Sequence, residues 1–349
     1  MDTGKLSDAL SQLERSLAAL WAPEAGQPPK SRVCTGNLVL LTGAERRASA
    51  QAMLDELRAS ERMRTFLVCI DPRLPPWSLE AGVSARCQRE GEQLLCSERI
   101  ELSLGAGAID RVPSVVSSLW VPEVPTTFVL LEPAPALLVS ALTRDASRLI
   151  LDSEALGVEV SATIAAATRA HLIDLAWMRL YPWRNAIAGA FDPPALRAAV
   201  SAIHRLAVRC TGPAPCAPAA RLLVGWLASR LRWSLQGTTA ASDAQHQHVA
   251  LQLEAQAVDG VPAGKLLSVE LGATFGEAHL LLDVERSPHT TTLQVTRSAE
   301  GHGASVRRIT LPEPSLHELL DRAIDDPTPD TALRQTLQRA TLLTPQGAP

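Results

Sequence analysis

The chain is poor in several things, and each shortage narrows its chemistry. Aromatic residues make up 3% of its 349 residues, with one tyrosine and four phenylalanines. Lysine is scarce, so arginine supplies nearly all the positive charge. The 33 basic side chains meet 37 acidic ones, a formal charge of -4. Phosphate-backbone recognition normally needs a basic surface, so nothing here supports a nucleic-acid partner. No uninterrupted apolar run approaches the roughly 20 residues that cross a bilayer. The opening Met1-Asp-Thr-Gly-Lys5 lacks the basic end and apolar stretch of a secretory signal. The expectation is a soluble cytoplasmic protein with no membrane partner.

The sequence is equally short of catalytic signatures. The run from Gly36 to Arg46 lacks the Lys-Ser/Thr ending of a P-loop, and Gly105 and Gly107 do not complete a dinucleotide fingerprint. Six cysteines do not make a disulfide framework at this length. Cys34 and Cys69 lie in apolar runs and read as reduced core residues. Cys87 and Cys96 flank a polar turn and can face each other across a hairpin. Cys210 and Cys216 bracket Thr-Gly-Pro-Ala-Pro and form a possible redox pair. None of these pairs has zinc-site spacing. His246 and His248 lack further ligands, and His171 with Asp174, expected on one helical face, has no activated nucleophile beside it. The expectation is no metal, no cofactor and no catalytic residue.

What is present is a long alternation of short apolar strands and helices. Leu6, Leu10, Leu13, Leu17 and Leu20 make a stripe at helical spacing, followed by a proline-rich linker. Residues 1–30 are therefore an N-terminal helix and linker. Residues 31–170 read as a three-layer α/β domain, with an antiparallel hairpin at Val83–Gln88 and Leu94–Leu104. Residues 171–345 read as a second mixed domain with a largely antiparallel sheet, from the alternating segments after His248. Ala202–Arg209 reads either as strand or as helix.

The most informative stretch is Asp174 to Asp192. It holds two of the seven tryptophans, the only tyrosine and two arginines. Pro182 separates a helix end from a helix start, because proline suits the first helical turn and pushes its predecessor away from helix. Trp177, Arg179, Trp183 and Arg184 are the partner-binding candidates of this helix–kink–helix joint, and a core plug between domains is the plainer reading of its tryptophans. Arg144 and Arg148 are possible anion-binding residues. With Arg179 and Arg184 they also allow a different reading, a sugar-phosphate-binding enzyme or sensor.

At this joint the chain resembles the glucose-6-phosphate dehydrogenase assembly protein family, OpcA. The matching pieces are Cys96-Ser-Glu-Arg-Ile-Glu-Leu102, Leu119-Trp-Val-Pro-Glu-Val-Pro-Thr-Thr127, Arg148-Leu-Ile-Leu-Asp-Ser153, Asp174-Leu-Ala-Trp-Met-Arg-Leu-Tyr-Pro-Trp-Arg184 and Leu222-Leu-Val-Gly-Trp-Leu-Ala-Ser-Arg-Leu-Arg-Trp233. They fall in family order over roughly residues 30 to 310. The chain departs from the usual wording at Cys96-Ser-Glu98 and at Ser147-Arg148. The resemblance implies a non-catalytic activator that works by protein–protein contact with glucose-6-phosphate dehydrogenase, at the entry to the oxidative pentose phosphate pathway.

Overall fold

The structure is a computed structural model and describes residues 3–22, 30–157, 170–212, 217–287, 290–301, 303–326, 328 and 330–343, with no side chains described before residue 11. It divides into two compact units. Unit 1 comprises Met1–Leu175 with Ser315–Pro329, and unit 2 comprises Ala176–Pro314 with Asp330–Pro349.

Unit 1 is built on an eight-stranded sheet. Helix α1 (Thr3–Leu20) precedes β1 (Lys30–Arg32) and β2 (Asn37–Gly43), and α2 (Arg47–Glu56) leads to β3 (Arg64–Ile70). The hairpin β4 (Leu79–Glu90) and β5 (Gln93–Leu104) follows, then α3 (Val112–Ser118), β6 (Thr126–Leu130), α4 (Ala136–Thr143), β7 (Arg148–Leu151), the short α5 (Ser153–Leu156) and β8 (His171–Asp174). The strands β5-β3-β2-β6-β7-β8 lie side by side and parallel, and β4 pairs antiparallel along β5. The apolar sequences of β2 and β3, buried at six of seven positions each, suit a parallel sheet covered on both faces. Numbered by their crossovers these six strands run 3-2-1-4-5-6, the doubly wound order. The order reverses between β2 and β6, which sends the right-handed crossovers to opposite faces.

Two details differ from expectation, and a third accords with the cysteines expected to face each other across the hairpin. His171 and Asp174 lie on a strand rather than a helix, so at three residues apart they point to opposite faces. Asp174 instead receives the backbone N–H of Ser153 at 3.0 Å and its hydroxyl at 2.7 Å. Among the described residues a single disulfide joins Cys87 to Cys96, because the hairpin register sets the two directly opposite. Helix α9 (Leu316–Asp325) also belongs to unit 1. The buried Asp321 carboxylate accepts from the backbone of Ala59 at 2.9 Å and of Arg58 at 3.2 Å, and His317 meets Glu56 at 2.9 Å.

Unit 2 begins within α6 (Leu175–Arg179) and continues through α7 (Tyr181–Ala190), β9 (Ile203–Thr211), α8 (Pro218–Leu231), β10 (Ser234–Leu235), β11 (Ala240–Ser242), β12 (His248–Gln256), β13 (Leu266–Phe275), β14 (Ala278–Arg286), β15 (Thr292–Ala299) and β16 (Gly303–Thr310), and closes with α10 (Thr331–Thr341). Its sheet order is β10-β11-β12-β9-β13-β14-β15-β16, antiparallel except between β9 and β12. The segment open to two readings is thus the central strand β9. Burial alternates strictly on β14, where Leu280, Leu282 and Val284 are covered and His279, Leu281 and Glu285 are exposed.

Candidate functional site

The Trp/Arg segment folds as its sequence suggests, with Leu180 alone between the two helices and Pro182 in the first turn of α7. Its side chains turn inward. Trp177 is 3% exposed and Trp183 2% exposed. The Arg184 guanidinium stacks over the Trp177 ring at 3.4 Å from its centroid and lies 3.8 Å from the Asp330 carboxylate. Trp177 donates its indole N–H to that same carboxylate at 2.5 Å, and Arg184 donates to the Trp177 carbonyl at 3.3 Å. Burial pulls the Arg184 guanidinium down to about 10, against the opposing pull of Asp330. Arg179 is half-buried, while Tyr181 beside it is 62% exposed.

The other arginines are dispersed. Arg148 donates to the Ile324 carbonyl at 2.6 Å, at the last turn of α9, where a cation suits the helix dipole. Arg144 is exposed at the C-cap of α4. Cys210 is fully buried, with its thiol pushed up by desolvation and directed at the Glu254 carbonyl. Cys216 lies outside the described residues.

A buried charge cluster in unit 1 escaped composition and spacing. The Glu98 side chain, 2% exposed, lies 2.5 Å from Arg64 and 2.9 Å from Arg32, and accepts from the Trp21 indole at 2.7 Å. Arg64 also donates to the Leu119 carbonyl. Desolvation raises the Glu98 carboxyl, with the bonds from Trp21 and Arg32 opposing it. Nothing local in the sequence marks it, since β5 carries Arg99 and Glu101 as well as Glu98, and of the three only Glu98 is buried.

Ligands of doubly wound sheets sit at the strand-order reversal, with phosphate on the first turn after strand one. Here that turn is already filled. Glu132, just past β6, accepts from the Thr42 hydroxyl at 2.9 Å and from the Gly43 backbone N–H at 3.3 Å. Arg46 lies 4.0 Å from the same carboxylate. A cavity of about 210 Å³ beside it is lined by Met53, Leu131, Asp152 and Leu316 among others. Two carboxylates repel a pyrophosphate, and where a glycine fingerprint opening at Gly43 needs its second and third glycines the chain has Glu45 and Ala48. The residues present do not fit a dinucleotide.

Comparison with known proteins agrees with the order of motifs. Residues 54–169 match the family model for the glucose-6-phosphate dehydrogenase subunit N-terminal domain, and residues 170–337 match that for its C-terminal domain. Proteins named OpcA, whose names link them to the OxPP cycle, are similar in Synechocystis sp. (28% identical over 190 residues, 52% of this chain and 39% of that protein) and Nostoc punctiforme (29% over 225 residues, 57% and 47%). The chain thus spans less than half the length of the curated relatives it matches. A solved 3-ketoreductase from Actinomadura kijaniata, KijD10, superimposes over 88% of this chain and 95% of its own at 12% identity, with a TM-score of 0.48, which carries no argument about chemistry. The chain belongs to the OpcA family of glucose-6-phosphate dehydrogenase subunits.

Proposed function

We propose that this protein is a non-catalytic assembly factor and activator of glucose-6-phosphate dehydrogenase, acting in the cytoplasm on the oxidative pentose phosphate pathway. The observation that carries the reading is the pair of family models, which together run without a gap from residue 54 to residue 337. The filled phosphate turn at Glu132 supports a role without a bound dinucleotide.

The mechanism is a shift of population. A partner that binds the assembled, active dehydrogenase more tightly than the inactive form must favour the former. A tenfold preference needs only about 1.4 kcal/mol of differential binding. Within the Trp/Arg segment, Trp177, Trp183 and Arg184 are buried together, which supports a reading in which they form a rigid core and Arg179 and the exposed Tyr181 meet the partner. Rigid aromatic and arginine anchors are the usual carriers of interface energy.

The test is co-purification with the dehydrogenase of the same organism, followed by mass measurement and an NADP-reduction assay with and without this chain. The expected result is a complex of higher mass and a higher rate at equal dehydrogenase concentration. A dehydrogenase that neither binds the chain nor changes its assembly or rate in its presence refutes the proposal.

A further inference from the structure

The sheet of unit 2 has a buried face and an open one. On β15 Leu293 and Val295 are buried, and on the same face Arg297 of β15 and Arg307 of β16 donate to the Ala190 and Ala186 carbonyls of α7. The alternate residues face the other way. Strand register arranges them in three rows across β12, β9, β13, β14, β15 and β16. One row reads Glu254, Arg209, Ser268, Glu285, Gln294, Arg308. The next reads Gln252, Ala207, Glu270, Asp283, Thr296, Val306, and the third Ala250, Arg205, Gly272, Leu281, Ser298, Ala304.

This face is flat in its side chains and striped in its charge. Small residues fill much of the third row, Leu281 is 49% exposed and Val306 64% exposed. Strand β9 carries Arg205 and Arg209, strand β14 carries Asp283 and Glu285, and β13 lies between them. Arg205 already pairs with Glu270 of β13 at 3.2 Å, whereas Asp283 has its carboxyl raised by partial burial and then by Glu285 and Glu270. The basic strand lies two positions away on the same sheet, and Arg209, which donates to the Ser268 hydroxyl at 2.7 Å, is the weakest of these influences on Asp283.

We infer that this open face is the interface of a homodimer, in which a second copy stacks on it about a two-fold axis along β13. Such an axis lays β9 of one copy over β14 of the other and keeps each row in place. Arg209 then meets the partner copy's acidic strand in the row of Glu285, and the pair occurs twice. Asp283 comes to lie between Arg205 and Arg209 of the opposite copy, and the Arg205 stem covers Leu281. Each Glu270 keeps its own Arg205 near the axis. Face-to-face sheets pack about 10 Å apart, with strands about 4.8 Å apart within each sheet. Six strands and three rows therefore cover roughly 600 Å² per copy, near the lower bound for a stable interface. The symmetry requires self-complementarity, which the stripe order supplies.

Charge reversal of exposed residues tests the arrangement with little risk to folding. The full-length chain is examined by sedimentation velocity and light scattering from about 1 to about 100 μM, a range that brackets micromolar dissociation. The wild type is expected to dimerise, and Arg209→Glu and Glu285→Arg are each expected to raise the dissociation constant at least about tenfold, with unchanged circular dichroism. Combining the two reversals restores opposite charges in the same row and is expected to recover the dimer. A wild type that stays monomeric at the highest concentration overturns the inference. So does a dimer indifferent to the single reversals, or a double reversal without recovery.

Discussion

Arg184 shows how the meaning of a residue changes with its surroundings. In the sequence it is a cation beside a tryptophan and a tyrosine. In the structure it is 16% exposed, stacked on Trp177 and facing Asp330. Arg184→Ala should therefore lower stability by on the order of 3 kcal/mol, through loss of the desolvated cation–π contact and the ion pair. Arg184→Lys should recover part of that, since an ammonium keeps the charge but not the planar stacking. Thermal denaturation of both variants checks the order. Arg179→Ala is expected to weaken activation of the dehydrogenase while costing less stability than Arg184→Ala, which the same denaturation experiment reads.

Glu98 makes a second residue-scale case. Arg64→Ala leaves its carboxylate buried with less compensation and should cost about 3–5 kcal/mol. Its raised carboxyl also fixes the sign of a pH effect. The folded state holds the proton more tightly than the unfolded state, so the contribution to stability is full below the ordinary glutamate range. It is lost as pH rises through the raised value. Glu98→Gln removes this dependence, so the wild type should lose stability relative to the variant as pH climbs from acid toward neutral.

At the scale of elements, helix ends and crossings carry the tests. Helix α9 opens with a capping box in which Ser315 and Glu318 satisfy each other's backbone N–H groups. Ser315→Ala should cost about 1 kcal/mol. Those bonds hold the Glu318 carboxyl below its ordinary range, so its contribution is present above the unfolded value and disappears as pH falls through the lowered one. Helices α8 and α10 cross closely at Gly225, where an added Cβ would sit 2.6 Å from the Thr336 carbonyl and 2.9 Å from the Ala340 nitrogen. Both contacts are with backbone and cannot swing aside, so Gly225→Ala should destabilise by about 1–3 kcal/mol despite its better helix propensity. Chemical denaturation of the two variants reads both effects.

Much of this level was legible beforehand, for local reasons. Strands such as Leu38–Leu41 and helices such as that around Trp226 announce themselves by period and by flanking proline or glycine. The His171–Asp174 segment misled because four residues are too few to separate a period of 3.6 from one of 2. The site was less legible. Burial of Trp177 and Arg184 depends on Asp330, about 150 residues distant, and Glu98 depends on Trp21, Arg32 and Arg64. Spacing in the sequence holds no record of such meetings.

At the scale of the whole molecule, the open sheet face and the returning α9 are what no local pattern foretells. Strand alternation places polar residues outward on β14, but only the pairing register brings Arg209, Ser268 and Glu285 into one row. Unit 1 is likewise not one stretch of chain. Residues 1–175 alone should be less stable than the same residues supplied with α9, because the Asp321 carboxylate and the Arg148 bond to Ile324 arrive only with that helix. Proteolysis of the fragment, with and without a linked 315–329 segment, measures the difference.

That return has a consequence in time. During synthesis the strands of unit 1 leave the ribosome long before α9, with all of residues 176–314 translated in between. At about 5–20 residues per second the delay is on the order of ten seconds, far longer than hydrophobic collapse. For that interval the backbone N–H groups of Arg58 and Ala59 have no carboxylate to bind, and the surface that α9 will cover stands open to chaperones and to other nascent chains. Translation speed between the two passages should therefore govern how much of this protein reaches its folded state in the cell.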